Sequence, residues 1–334
     1  MKITTQIALA LPLVMAVACG NKSAEASAEA SSVEAKKKEA RAVPAFNADS
    51  AYSYVAAQLA LGSRVPGTPT HAATAEWLAS ELRRHGAEVI VQEANVTAFD
   101  GTVLPARNII GQFNPDSKER ILLLAHWDAR PFADHDPDPA NRRTPVPAAN
   151  DGASGVGVLL EIARLLGQND PGKGVDILLV DAEDYGTPEW AASNGDDNTW
   201  ALGTQYWARR PHRPAYRPRY AILLDMVGAK NATFLKEGFS NHYAPSLVDK
   251  VWSRARELGY GSYFLNENGG YINDDHLYVN QIARIPSIDI IHLDPASDTG
   301  FYPYWHTLGD TLDKIDPATL QAVGHTVTDV IYND

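Results

Sequence analysis

The chain has 334 residues, of which 45% are hydrophobic and 21% are charged, and its formal net charge at pH 7 is −12. This length and composition are typical of a globular protein with a sizeable core. The excess of acid argues against sequence-independent nucleic-acid binding, which needs a basic surface. No basic patch with interleaved aromatic residues offsets it, so nucleic acid is not an expected partner.

Residues 1–19 have the pattern of a bacterial export signal. Lys2 precedes an apolar run, and small residues lead to Cys19, the single cysteine of the chain. The run is too short to span a membrane in the mature protein. The box Ala16 to Gly20 resembles that of bacterial lipoproteins, so we predict a lipid anchor on Cys19 and a location in the bacterial cell envelope. The alternative is a plain secretory signal with an incidental cysteine.

The segment 20–43 has no aromatic residue and is dominated by Ala, Ser, Glu and Lys. Such a composition cannot bury enough apolar surface to fold alone, so we predict a disordered tether. Folding is predicted to begin near Phe46, and a single domain is expected over residues 44–334.

Hydrophobic periodicity predicts six helices and six strands in this domain. The helices are expected over about residues 49–61, 71–84, 154–166, 200–209, 244–258 and 317–331, and the strands over about 88–96, 108–113, 121–125, 175–180, 220–224 and 286–291. The runs at 121–125 and 175–180 are continuously apolar and flank a helix, which is typical of a βαβ unit with buried strands. The chain is therefore predicted to have an α/β fold.

The stretch from Ala148 to Leu166 places a carboxylate, Asp151, on a glycine-rich loop that leads into a helix. Gly155 and Gly157 allow tight packing against neighbouring backbone. Ser154 is predicted to be the N-cap of the helix. The helix thus serves as the support on which Asp151 is presented.

Acidic residues and a histidine follow both strands of the βαβ unit. The first strand continues into His126 and Asp128, and the second continues into Glu183 and Asp184. Ligands of open α/β sheets bind beyond the carboxyl ends of the strands, where Asp151 is also expected. One His with several carboxylates is a donor set that catalytic zinc uses. The alternative for any single residue is a helix cap or a solvated loop position.

Several loops are expected to surround this edge of the sheet. A long Asp- and Pro-rich loop at 131–147 lies beside Asp151 in sequence, and an insertion at 185–199 precedes a helix that is predicted to form a pocket wall. Asp225 follows another strand and joins the acidic edge. The polar stretch 266–276 and the aromatic loop 301–307 complete the set.

With these residues in view, the sequence resembles the zinc-dependent M28 peptidase-like family, most closely its glutaminyl-peptide cyclotransferase branch of animal and bacterial type. The resemblance covers about residues 44–334 and implies one domain with a mixed, mostly parallel central sheet flanked by helices, as in zinc aminopeptidases. The motifs that carry it are Arg64 to Gly67, His126-Trp127-Asp128, Asn150-Asp151-Gly152, Asp181 to Asp184, Leu224 to Gly228, Asp274-Asp275-His276 and Trp305-His306-Thr307.

The resemblance implies a site with one Zn²⁺ and an acidic network beside it. The implied zinc ligands are Asp151, Asp184 and His306. The implied acid/base is Glu183, and Asp225 and Asp274 complete the network. Asp184 stands where the animal enzymes carry Glu, and Asp289 stands where they carry His. Motif alignment alone selects Asp274 over its neighbour Asp275.

The implied activity is the conversion of the N-terminal Gln of peptides or proteins to pyroglutamate, with release of ammonia, by a monomer. The α-amine attacks the γ-amide carbon, so the side chain must be held folded back on itself. Trp190 and Trp305 are predicted as apolar walls, and Asn273 as a further substrate-binding residue.

Two alternatives remain. In a di-zinc aminopeptidase of the same fold, His126 and Asp225 would bind a second zinc and Asp151 would bridge both metals. A metal count of two per chain would favour it. A surface lipoprotein that only binds peptides is the other, and a zinc-loaded protein with no turnover would favour that reading.

Overall fold

The computed structural model describes residues 42–191 and 198–334. The predicted export signal, the predicted lipidation site Cys19 and nearly all of the predicted tether lie outside the described residues. Within the described ranges, none of the helices combines the length and apolar character that crossing a membrane requires.

Strands and helices alternate along most of the domain. The described residues form eight strands: β1 (Glu88–Thr97), β2 (Val103–Phe113), β3 (Arg120–His126), β4 (Gly174–Val180), β5 (Ala221–Asp225), β6 (Phe234–Lys236), β7 (Phe264–Asn268) and β8 (Ser287–Ile291). They also form eight α-helices: α1 (Ala48–Leu61), α2 (Pro69–Arg84), α3 (Ala153–Gln168), α4 (Leu202–Arg209), α5 (Gly238–Tyr243), α6 (Pro245–Glu257), α7 (Asp275–Tyr278) and α8 (Pro317–Asn333). A π-helical turn at Val279–Ala283 follows α7.

The central sheet has six strands in the order β1-β2-β4-β3-β5-β8. β1 pairs antiparallel with β2, and β2 pairs antiparallel with β4. The remaining pairs, β4 with β3, β3 with β5 and β5 with β8, are parallel. The fold class is therefore as predicted, a mixed and mostly parallel sheet within one α/β domain, and β3–α3–β4 is the expected βαβ unit.

Helix α3 is buried along nearly its whole length because it packs against β3 and is covered by α1 and α8. Its glycines permit this approach: a Cβ on Gly155 would lie 2.1 Å from the carbonyl oxygen of Leu224, and one on Gly157 would lie 2.8 Å from that of Ala51. Buried apolar residues from these helices and strands form one large core.

The predicted capping role of Ser154 is wrong. The N-cap of α3 is Gly152, with φ of 83°, and no side chain caps the helix. Ser154 lies within the first turn, where its hydroxyl donates to the carbonyl of Asn150 at 2.6 Å and accepts from the amide of Val227 at 2.9 Å. The hydroxyl therefore joins α3 to the segment after β5 instead of ending the helix.

The predicted strand at 108–113 is longer, since β2 begins at Val103, and four short elements were not predicted: α5, β6, β7 and α7. β6 has only three residues and pairs in parallel with the polar β7. β6, α5 and α7 carry too few residues for a periodic pattern, and β7 is too polar to stand out as a strand, so their formation depends on tertiary contacts.

Candidate metal centre and cavity

The parallel strands end at one edge of the sheet, and the predicted site residues come together there. His126 is the last residue of β3 and Asp225 the last residue of β5, while Glu183 and Asp184 follow β4 closely. Asp151 lies on the loop before α3. All five side chains are buried. The βαβ geometry thus produces the cluster, because parallel strands present their carboxyl ends on the same side.

One group of possible ligands consists of Asp151, Asp184 and His306. His306 Nε2 lies 3.1 Å from Asp184 Oδ1 and 3.7 Å from Asp151 Oδ2. One ligand atom from each of the three lies within 4.8 Å of the others. The three predicted zinc ligands are therefore adjacent in the fold.

A second group shares Asp151. His126 Nε2 lies 3.0 Å from Asp151 Oδ1 and 3.2 Å from Asp225 Oδ1. Asp151 thus turns one carboxylate oxygen toward each histidine. This is the residue arrangement that the di-zinc alternative requires.

Several residues next to these groups have left-handed backbone. Ala182 has φ of 51°, Met226 of 48° and His306 of 55°. Such values cost of order 1–3 kcal/mol in non-glycine residues and cluster at functional sites. Ala182 and Met226 lie where the chain leaves β4 and β5, next to Glu183 and Asp225, and His306 is itself a candidate ligand in the loop after β8.

Buried hydrogen bonds hold the loops that carry the acids. Asp128 accepts from the amides of Glu183 and Asp184, both at 3.1 Å. Arg64, from the connector motif, donates to the carbonyls of Trp127 at 2.9 Å and Ala148 at 2.6 Å. Asp128 therefore supports the acid pair and is not placed in either group of possible ligands.

Asp310 supports the Asp151 loop from the opposite direction. Its carboxylate accepts from the amide of Asn150 at 2.9 Å and from the amide of Asp151 at 3.0 Å. The Tyr302 hydroxyl donates to the same carboxylate at 3.1 Å. Asp310 was not predicted as a site residue, because an aspartate in a loop after His306 has no local pattern that distinguishes it.

The buried acids perturb one another. Burial raises the pKa of Glu183 well above its ordinary value, and the charges of Asp274 and Asp184 add to this while His126 opposes it. Burial likewise raises the pKa of Asp225 to about 7, against the hydrogen bond from His126. The pKa of Asp184 is raised by burial and by Asp151. Ionisation of one of these buried carboxyls therefore makes ionisation of its neighbours less favourable.

These residues fit a divalent cation. Asp184 Oδ2 is buried and has no hydrogen-bond partner among the described residues. Burying an unpaired carboxylate is costly unless it is protonated or coordinates a metal. Histidine nitrogen with carboxylate oxygen is the donor set of catalytic zinc sites. The chemistry of the cluster thus agrees with a metal centre.

A cavity of about 400 Å³ opens onto the cluster. Eight predicted site residues line it: Asp151, Glu183, Asp184, Asp225, Asn273, Asp274, Trp305 and His306. Asp275 is not among the lining residues and is fully buried in α7. Thr299 and six mostly apolar side chains complete the wall: Trp200, Met226, Tyr271, Ile272, Ile291 and Phe301.

Trp190 does not line this cavity. It is 39% exposed and packs edge-on against Phe132, with ring centroids 5.3 Å apart, under the guanidinium of Arg143. The tryptophan that lines the cavity beside Trp305 is Trp200, whose ring stacks over His306 at 6.0 Å. Trp200 precedes α4, the helix that was predicted to form a pocket wall.

A mixed central sheet flanked by helices is the architecture of the zinc exopeptidase-like fold, and here His and Asp side chains gather beyond the ends of its parallel strands. The chain belongs to peptidase family M28, whose model matches residues 108–331. The predicted family is therefore confirmed.

Two solved structures show how closely the chain resembles its relatives. A Zn-dependent exopeptidase from Parabacteroides distasonis is 59% identical, with a TM-score of 0.87 over 88% of this chain and 100% of that one. A glutaminyl cyclase from Bacteroides thetaiotaomicron, bound to N-acetylhistamine, is 54% identical, with a TM-score of 0.86 over 88% of this chain and 100% of that one.

A curated relative is the aminopeptidase YwaD of Bacillus subtilis, which is 26% identical over 75% of this chain and 50% of that protein. The chain therefore spans about half the length of this relative. Both cyclases and exopeptidases thus occur among similar proteins, and the chemistry has to be argued from the site.

Proposed function

We propose that the protein is a zinc-dependent glutaminyl-peptide cyclotransferase, which converts the N-terminal Gln of peptides or proteins to pyroglutamate and releases ammonia. The observation that carries the proposal is the position of Asp274. It lies in the cavity wall, where its charge acts on both Glu183 and Asp225. A third carboxyl beside the acid/base suits a reaction that moves one proton from nucleophile to leaving group.

Asp151, Asp184 and His306 would hold the zinc. When bound there, zinc supplies Lewis-acid polarisation of the γ-carbonyl of the substrate. Asp225 faces the cavity in this reading and acts as a neighbour of Glu183 and not as a ligand. One zinc per chain is the expected content.

Glu183 carries the proton. The bond between the α-amine nitrogen and the γ-carbon forms, and the bond between the γ-carbon and the amide nitrogen breaks. Glu183 accepts a proton from the attacking amine and returns one to the departing nitrogen, which leaves as ammonia. A positioned acid/base of this kind typically contributes about 100- to 10,000-fold to the rate.

The aromatic walls hold the substrate in the reactive conformation. The rings of Phe301 and Trp305 lie 4.6 Å apart at a tilt of 32°, and Trp200 faces His306. A Gln side chain confined between such rings has fewer extended conformations, and the amine is kept close to the γ-carbon. Holding the two reacting groups in position can remove much of the activation free energy of an intramolecular reaction.

The test is incubation with a glutaminyl peptide, following ammonia release and the loss of the free N-terminal amine together. A cyclase yields both in equal amounts. Release of free glutamine without ammonia would contradict the proposal. The Glu183→Gln variant is the matched control, since it keeps the size of the side chain and cannot carry the proton.

The second candidate is a di-zinc aminopeptidase, which the adjacency of His126, Asp151 and Asp225 favours. It predicts two zinc ions per chain by elemental analysis and hydrolysis of peptides with N-terminal residues other than Gln. One zinc with ammonia release excludes it.

Location and partners are also proposals. We infer that the mature protein is lipid-anchored at Cys19 in the bacterial envelope, acts as a monomer and meets its substrates there. The support for the anchor and the location is the signal pattern of residues 1–19.

A further inference from the structure

A buried ion pair lies directly behind the candidate metal ligands. Arg130 and Asp134, in the loop after β3, are 1% and 3% exposed. Arg130 Nε donates to Asp134 Oδ1 at 2.7 Å, and Nη2 donates to Oδ2 at 2.6 Å. This bidentate geometry makes the pair rigid as well as charge-balanced.

Asp134 reaches one metal-ligand candidate. Its Oδ1 lies 3.4 Å from Nδ1 of His306, while Nε2 of the same ring faces Asp184 and Asp151. A carboxylate beside Nδ1 favours the ring orientation in which Nε2 faces a metal.

Arg130 reaches the other candidate ligand. Its Nη1 donates to the carbonyl of Asp184 at 3.0 Å and lies 3.5 Å from Asp184 Oδ1. The guanidinium also lies over the ring of Trp200 at 4.9 Å. One arginine thus contacts Asp134, a ligand carboxylate and a wall of the cavity, which a lysine ammonium cannot do at once.

His306 needs such support because its own backbone is unfavourable. Its φ of 55° is left-handed, and its carbonyl accepts from the amide of His135 at 3.2 Å. Trp305 stacks on its ring at 3.6 Å. The ring therefore packs against Trp305 and Trp200, and the Asp134 carboxylate lies beside its Nδ1.

We propose that Arg130 and Asp134 form a positioning pair for the metal, which fixes the orientation of His306 and the place of Asp184 without coordinating the ion. The inference rests on the proposed metal centre and extends it. Partners of this kind typically change metal affinity by about 10- to 100-fold when they are removed.

The test measures zinc affinity of the full chain by competition with a chelator, beside far-UV circular dichroism and thermal unfolding at saturating zinc. Asp134→Asn and Arg130→Lys should each weaken zinc binding by about 10- to 100-fold while the protein stays folded. In the first, the neutral amide breaks the bidentate pair, and in the second a single ammonium cannot span its partners.

Asp176→Asn is the matched control. Asp176 forms an equally buried bidentate pair with Arg120, at 2.7 and 2.8 Å, near the start of β3 and away from the metal centre. This variant should lose stability and keep wild-type zinc affinity.

Wild-type zinc affinity in folded Asp134→Asn, or an equal loss in Asp176→Asn, would overturn the positioning role. If Asp134→Asn does not fold, Arg130→Lys decides by the same criterion. A wild-type chain that binds zinc but releases no ammonia from a glutaminyl peptide refutes the proposed function alone. Active wild type with unchanged variant affinities refutes the positioning pair alone.

Discussion

Substituting Asp310 by Asn should destabilise the protein and loosen the loop that carries Asp151. The carboxylate receives two backbone amides and the Tyr302 hydroxyl, all buried. An amide group has one acceptor oxygen, and its NH₂ faces donors, so at least one buried donor loses its partner. Leaving one buried donor unsatisfied costs about 1–3 kcal/mol in the free energy of unfolding.

The assay is denaturant unfolding with and without saturating zinc, at pH 8.5. Burial raises the pKa of Asp310 to about 7, against the hydrogen bond from the Asp151 amide, so this pH keeps the wild-type carboxylate ionised. The Asp310→Asn substitution should also weaken zinc binding, because the backbone of Asp151, a candidate ligand, is no longer held. Tyr302→Phe is the control: it removes one donor, leaves both amides satisfied and should cost about 1 kcal/mol.

An Asp310→Asn variant with the wild-type midpoint and zinc affinity would show that the two amide contacts do not hold this loop. Equal losses in Asp310→Asn and Tyr302→Phe would place the effect in the hydroxyl and not in the backbone amides.

Three further predictions concern other parts of the chain. Glu183→Gln should keep zinc and lose about 100- to 10,000-fold in the rate of pyroglutamate formation, whereas Asp184→Ala should lose zinc itself. Elemental analysis and the reaction rate are measured for each variant. Loss of metal in Glu183→Gln would contradict the assignment of the two roles. Burial alone would raise the pKa of Glu237, but the hydrogen bond from His276 lowers it to about 2. The stabilisation that ionised Glu237 contributes to the folded state is therefore present above about pH 4.5 and is lost as pH falls toward 2. In urea unfolding across that range, the free energy of unfolding should fall by about 3 kcal/mol less in Glu237→Gln than in wild type. The same pH dependence in both proteins would refute this. Cys19→Ser should move the protein from the membrane fraction to the soluble fraction with unchanged catalysis, and a variant still in membranes would refute the lipid anchor.

Much of the fold follows from local pattern. The apolar runs of β3 and β4, with α3 between them, specify a βαβ unit because continuous hydrophobic strands must be covered on both faces. Parallel strands present their carboxyl ends together, so acids that follow such runs converge without any further information. This is why Asp151, Glu183 and Asp184 could be placed in one site, whereas Asp274 came from motif alignment alone.

Other features depended on tertiary structure alone. Trp190 and Trp200 lie ten residues apart in the sequence, and only packing against Phe132 or His306 decides which of them lines the cavity. The contact between Asp310 and the Asp151 amide joins residues 159 positions apart, and no periodic pattern records such a pairing.

The support behind the ligands has the same origin. A bidentate pair between Arg130 and Asp134 looks like an ordinary helix-spaced ion pair in the sequence, and it acquires meaning only when Asp134 meets His306 Nδ1. The sequence determines which residues follow the ends of the strands, and the parallel arrangement of the strands brings those residues to one edge of the sheet. The partners that hold those residues come from distant loops, because burial of charge is balanced only in the assembled fold.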